Sequence, residues 1–123
     1  MRLLPVLVTT ACCLWSNAHA DDPAAEIDYL LTAVGSSHCV FIRNGKRYSA
    51  ADAEEHLRMK YSRGKRYAPT AEAFIERLAS RSSMSTKPYS IDCPGEESMP
   101  SGRWLAEKLA AYRKARSGGP RKP

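Results

Sequence analysis

The chain has 123 residues, 43% of them hydrophobic and 26% charged, with a formal net charge of +6. That length supports one core of modest size and excludes a multidomain enzyme. Beyond the first residues no long apolar run remains, which excludes a chain that crosses a membrane several times.

The N-terminus has the layout of a removable secretion signal. Arg2 precedes an apolar stretch from Leu3 to Trp15, and Ser16-Asn17-Ala18-His19-Ala20 places small residues at the minus three and minus one positions of a cut after Ala20. Two alternatives fit less well. A membrane anchor needs about 20 apolar residues, more than are present. A lipoprotein cut before Cys12 calls for a larger aliphatic residue than Thr9 and leaves an apolar region of only about six residues. The expected mature protein is a single domain over 21–115, outside the cytoplasm, with no transmembrane segment and a disordered basic tail over 116–123.

Export decides how the cysteines and the charge are read. Cys12 and Cys13 leave with the signal, and the two survivors, Cys39 and Cys93, reach an oxidising compartment where paired thiols become a disulfide. Closing a loop of about 55 residues contributes about 4 kcal/mol in the chain-entropy model. The loss of Arg2 lowers the net charge to +5, and Arg116, Arg121 and Lys122 of the tail carry three of those charges. A basic balance ordinarily suggests nucleic acid, but export argues against it and in favour of an anionic envelope component or an acidic ligand.

In chain order, Asp22-Pro23 is a helix start, and Ile27, Leu30, Leu31 and Val34 form one apolar face that Gly35 can close. His38 to Arg43 is rich in strand formers, and Asn44-Gly45 tolerates the positive φ of a type I′ turn, so Lys46-Arg47-Tyr48 returns as the second strand. Ser49 with Asp52 resembles a capping box for a helix to about Ser62, with Ala53, Leu57 and Tyr61 inward. A basic loop is expected over 63–69. Thr70 caps a third helix with Phe74, Ile75, Leu78 and Ala79 inward and Glu72, Glu76, Arg77 and Arg81 outward, and the serine-rich stretch from Ser80 to Lys87 is a loop. Tyr89 to Cys93 reads as a strand, which the disulfide would bring beside the strand of Cys39 in a three-stranded sheet. Ser101 is expected to cap a last helix with Trp104, Leu105, Leu109 and Tyr112 inward. The fold class is α+β, in the order α-β-β-α-α-β-α, with helices on a short antiparallel sheet.

Read as one string, Cys39-Val40-Phe41-Ile42-Arg43-Asn44-Gly45, then His56-Leu57-Arg58-Met59-Lys60, Thr70-Ala71-Glu72-Ala73-Phe74-Ile75, and Ser82-Ser83 ahead of Lys87-Pro88-Tyr89, resembles a known family. These blocks are similar to small exported bacterial proteins grouped as domain of unknown function 5329, over about residues 24–112. The resemblance implies a periplasmic protein and carries over no activity. Thr86 departs from it, standing where a glycine is expected before Lys87-Pro88-Tyr89.

Several residues invite a functional reading, each beside a plainer one. Arg43 and Asn44 could form a recognition hairpin, since an arginine fork suits carboxylate or phosphate, while Asn44 also serves the turn alone. His56 and Lys60, four apart on a helix, could point into one groove, and a histidine at a core edge is the plainer alternative. Ser82 and Ser83 could line a polar loop. A hydrolase or transferase pairing His56 with a serine of the 80–85 loop requires a hydrogen bond between them, direct or through one water. Lys60, Arg63, Lys65 and Arg66 with Tyr61 and Tyr67 make a basic, aromatic-interleaved patch for an acidic partner, with an ordinary solvated loop as the plainer alternative. His38, Cys39, His56 and Cys93 lack paired metal-ligand spacing, so no metal or cofactor is implied. The expectation is a non-enzymatic binding or interaction domain for an anionic partner.

Overall fold

The computed structural model describes Leu3, Pro5 and residues 22–117. The expected signal cut and most of the expected tail lie outside the described residues. Helices α1 (Pro23–Gly35), α2 (Ala50–Gly64), α3 (Ala71–Phe74) and α4 (Ser101–Ser117) pack with strands β1 (Val40–Arg43), β2 (Lys46–Tyr48), β3 (Ser90–Asp92) and β4 (Met99–Pro100). The sheet is antiparallel throughout, in the order β2-β1-β3-β4. It therefore has four strands rather than the expected three. The fourth is a two-residue strand whose Pro100 has no N–H to donate, so neither its length nor its composition announces it.

Period-two alternation sets the two faces of the sheet. Cys39, Phe41, Ile91 and Cys93 are buried, whereas Val40, Ile42, Ser90 and Asp92 are half-buried on the other side. Phe41 pairs with Ile91 on one side and Tyr48 on the other, so the core face runs unbroken across three strands. Against it pack Ile27, Leu30, Leu31 and Val34 of α1, Ala53 and Leu57 of α2, Phe74, and Trp104, Leu105 and Leu109 of α4. Cys39 and Cys93 are disulfide-bonded with Cα atoms 4.2 Å apart, stapling the start of β1 to the end of β3.

Local chemistry places the helix starts. Asp22, Ser49 and Thr70 each accept a backbone N–H through a side-chain oxygen, from Ala24, Asp52 and Ala73 respectively. Asn44 (φ 51°) and Gly45 (φ 78°) adopt the left-handed conformation of the two-residue hairpin turn. Gly35 ends α1 without a positive φ; a Cβ there would overlap the Glu54 side chain, so close approach to α2 is what it permits.

Four further departures concern the helices. The expected basic loop after 62 is instead helix to Gly64 followed by a 3-10 turn over Lys65–Tyr67, because Gly64 packs under Leu78 and keeps the chain against the core. α3 runs on into a π turn over Ile75–Ala79. Ser101 is fully buried and donates its hydroxyl to Ala79 O at 2.8 Å, so its side chain serves the end of the π turn rather than the start of α4. Helix α4 takes in Arg116 and Ser117, the first two residues of the expected tail. Thr86 has φ 60°, a left-handed conformation costly for a β-branched residue and easy for glycine.

Candidate functional site

A cavity of about 470 Å³ opens between the β1–β2 hairpin and α2. Its apolar floor is Phe41 and Leu57, with exposed Met59 at the rim, and its polar wall includes Arg43, Tyr48, His56 and Tyr89, with Asp52 and Glu55 on the first turns of α2. Such a size and mix suit a small ligand. Arg43 lies two residues beyond Phe41 on β1, so the alternation that buries Phe41 also turns Arg43 toward α2. It is therefore not presented at the hairpin tip.

Neutral acceptors hold the guanidinium. Arg43 Nη1 donates to His56 Nε2 at 3.0 Å and Nη2 donates to Tyr48 OH at 3.2 Å, with Cζ 5.1 Å from the Tyr48 ring centre. Because a guanidinium can only donate, this contact makes His56 Nε2 the acceptor and puts the proton of the neutral ring on Nδ1. Burial, then the charges of Arg43 and Lys60, lower the His56 pKa and keep that ring neutral. The Tyr48 hydrogen bond is the main reason that the Arg43 pKa is raised.

Lys60 flanks the pocket. Its ammonium donates to Tyr89 OH at 3.1 Å and Arg81 O at 3.2 Å, and burial, helped by Arg43, lowers its pKa to about 8. Burial also pushes the Tyr89 hydroxyl upward. Among the described residues neither Arg43 nor Lys60 pairs with a carboxylate.

His56 and Lys60 thus converge on Tyr89, one on the pocket wall and one behind it. The other candidates lie elsewhere. Asn44 Oδ1 accepts from Ser85 Oγ at 2.8 Å, tying the hairpin to the serine loop. Ser82 is buried, and its hydroxyl accepts from the backbone N–H groups of Met84 and Ser85 in the role of a turn cap. Ser83 is exposed, and no serine of the 80–85 loop hydrogen-bonds His56 among the described residues. Arg63 and Lys65 are exposed and do not line the cavity; Lys65 lies 5.6 Å from the Tyr61 ring centre. Sequence reasoning missed Tyr48, Asp52, Glu55, Met59 and Tyr89 as site residues and read Phe41 and Leu57 only as strand and core positions. A usable signal existed for the two tyrosines, which alternation places on the face shared by Phe41 and Ile91.

The comparisons with known proteins agree on kinship and stop there. The model of a family of unknown function, DUF5329, matches residues 21–113, and the chain belongs to that family. It is similar to the uncharacterised protein YfeK of Salmonella typhimurium, 37% identical over 76 residues, which cover 61% of this chain. The match spans 62% of that relative's length. No solved structure matches.

Proposed function

For a member of a family of unknown function, we propose a non-enzymatic role: binding, in the periplasm, of a ligand that presents a carboxylate to Arg43 and an apolar body to Phe41, Leu57 and Met59. The observation that carries this is an arginine fixed by two neutral partners on the wall of an apolar-floored cavity, with no carboxylate partner among the described residues. A guanidinium so placed has lost its freedom before a ligand arrives, so less ordering entropy opposes binding. His56 has Arg43, not a nucleophile, as its partner, and no step of covalent chemistry is assigned to it.

The periplasmic part of the proposal rests on the N-terminal signal and the Cys39–Cys93 disulfide, which oxidising compartments favour. An intact mass matching residues 21–123 less two hydrogens, in protein recovered from the periplasm, supports it; free thiols or a lipid on Cys12 overturn it. Binding is tested by titrating the purified protein with octanoate, N-acetyl-leucine and leucyl-leucine while following its amide resonances. Shifts grouped around residues 41–60 and 89, weaker in high salt and abolished by Arg43→Met, are the expected result. Absence of binding by all three carboxylates, or binding that Arg43→Met leaves intact, overturns it.

A further inference from the structure

The same cavity also carries negative charge. Asp52 and Glu55 line it from the first turns of α2, and among the described residues neither pairs with a cation. Asp52 and His56 are one turn apart on α2, about 6 Å along its axis. Asp52 is therefore offset from the point where Arg43 meets His56, whereas Glu55 directly precedes His56 on the helix, and the apolar floor lies in the same cavity. Both carboxylates are exposed at the cavity, and a ligand with only a carboxylate would leave them without a cationic partner.

Resting on the carboxylate reading above, we propose that the occupant is a short apolar peptide with both termini free. Its C-terminal carboxylate meets Arg43, its N-terminal ammonium meets Asp52 and Glu55, and its side chains cover Phe41, Leu57 and Met59. Length supports a peptide over an amino acid. An extended dipeptide places its termini about 7 Å apart, close to the helical offset, whereas a free amino acid carries both charges on one carbon. The pairing is electrostatically complementary at both ends: a zwitterion meets one cation and two carboxylates, with Lys60 behind the wall supplying the second positive charge.

Three probes that differ only at their ends test this: leucyl-leucine, N-acetyl-leucyl-leucine and leucyl-leucinamide, titrated into the purified protein by calorimetry. The free dipeptide is expected to bind at least about tenfold more tightly than either blocked form. The Asp52→Asn, Glu55→Gln double variant should remove its advantage over the acetylated form while retaining that over the amide. Equal binding of the acetylated and free dipeptides overturns the peptide inference and leaves the carboxylate reading standing. Equal binding of the amide overturns both. Binding of octanoate without any of the three dipeptides overturns the peptide inference alone. The amide spectrum of the double variant shows whether it is folded, and a folded variant that still prefers the free dipeptide over the acetylated form overturns the assignment of its ammonium.

Discussion

Two arginines on different elements, one on β1 and one on α4, do opposite things with the same group. Arg113 of α4 grips the Glu26 carboxylate through Nε at 2.6 Å and Nη2 at 2.8 Å, and also reaches Glu72. Glu26 is only 3% exposed, so this bidentate pair lets α1 and α4 close over a buried charge. The Arg113 pKa is raised by these bonds, and its hydrogen bond to Glu72 lowers the pKa of that carboxyl. Arg43 faces a cavity and is held by a histidine and a tyrosine. An arginine matched by carboxylates joins helices, while one positioned by neutral acceptors keeps its charge for something else. The disulfide belongs with the first kind, since it staples the end of the β1–β3 pair remote from Arg43.

The largest effect should come from that stapled end. Replacing both Cys39 and Cys93 with alanine is expected to cost about 4 kcal/mol of folding stability, read by urea denaturation. Ligand affinity, measured where the variant is still folded, should change little. A disulfide that served the pocket would reverse that pattern.

The two arginines can then be compared directly. Arg113→Met leaves Glu26 buried without its partner and should destabilise the domain by about 2–3 kcal/mol, below the full range for buried pairs because the Arg113 side chain is 42% exposed. Arg43→Met strands no buried charge and replaces a half-buried cation beside an apolar floor. Its stability should stay within about 1 kcal/mol of wild type while carboxylate binding is lost. Equal destabilisation by the two would break the distinction between a joining and a receiving arginine.

Much of the scaffold was legible in the sequence, because each element follows from a local rule. The apolar stripe of α1, the Ser49 and Thr70 caps and the Asn44-Gly45 turn depend on residues no more than a few positions apart. The four-stranded sheet was less legible, since β4 is a two-residue strand defined only by its pairing with β3 across the intervening loop, Met99 opposite Ile91. The site was half visible. Arg43, His56 and Lys60 stood out by charge and spacing, but their use depends on which face of β1 meets which face of α2. Reading Arg43 as a hairpin-tip residue ignored the alternation that turns it inward. Ser82 and Ser83 were attractive by composition, yet Ser82 is occupied with its own loop.

Backbone strain near the pocket gives a smaller effect. Thr86 closes the serine loop in a left-handed conformation, with its N–H donating to Ser82 O at 3.0 Å. Thr86→Gly removes the clash of a β-branched side chain but adds freedom to the unfolded chain, and the net gain should be about 0.5–1 kcal/mol in denaturation. Through Ser85 and Asn44 the same loop braces the hairpin that carries Arg43. A stabilised variant with unchanged ligand affinity would assign the strain to the loop alone.

The smallest effect is expected from pH and bears on what keeps Arg43 in place. The folded state holds the His56 pKa below its ordinary 6.5, so the unfolded chain takes up the proton first as pH falls. The stability that goes with a neutral His56 is therefore complete above 6.5 and lost progressively below it, until the folded-state value is passed. Protonation also removes the acceptor lone pair on Nε2 and sets a cation 3.0 Å from the guanidinium. His56→Gln keeps an acceptor for Arg43 but cannot titrate. Between pH 7 and 5 wild type should lose more stability and more carboxylate affinity than the variant, after allowance for the slopes they share. Parallel profiles would mean that Arg43 is positioned without His56, and that the imidazole is a wall of the pocket and not its clamp.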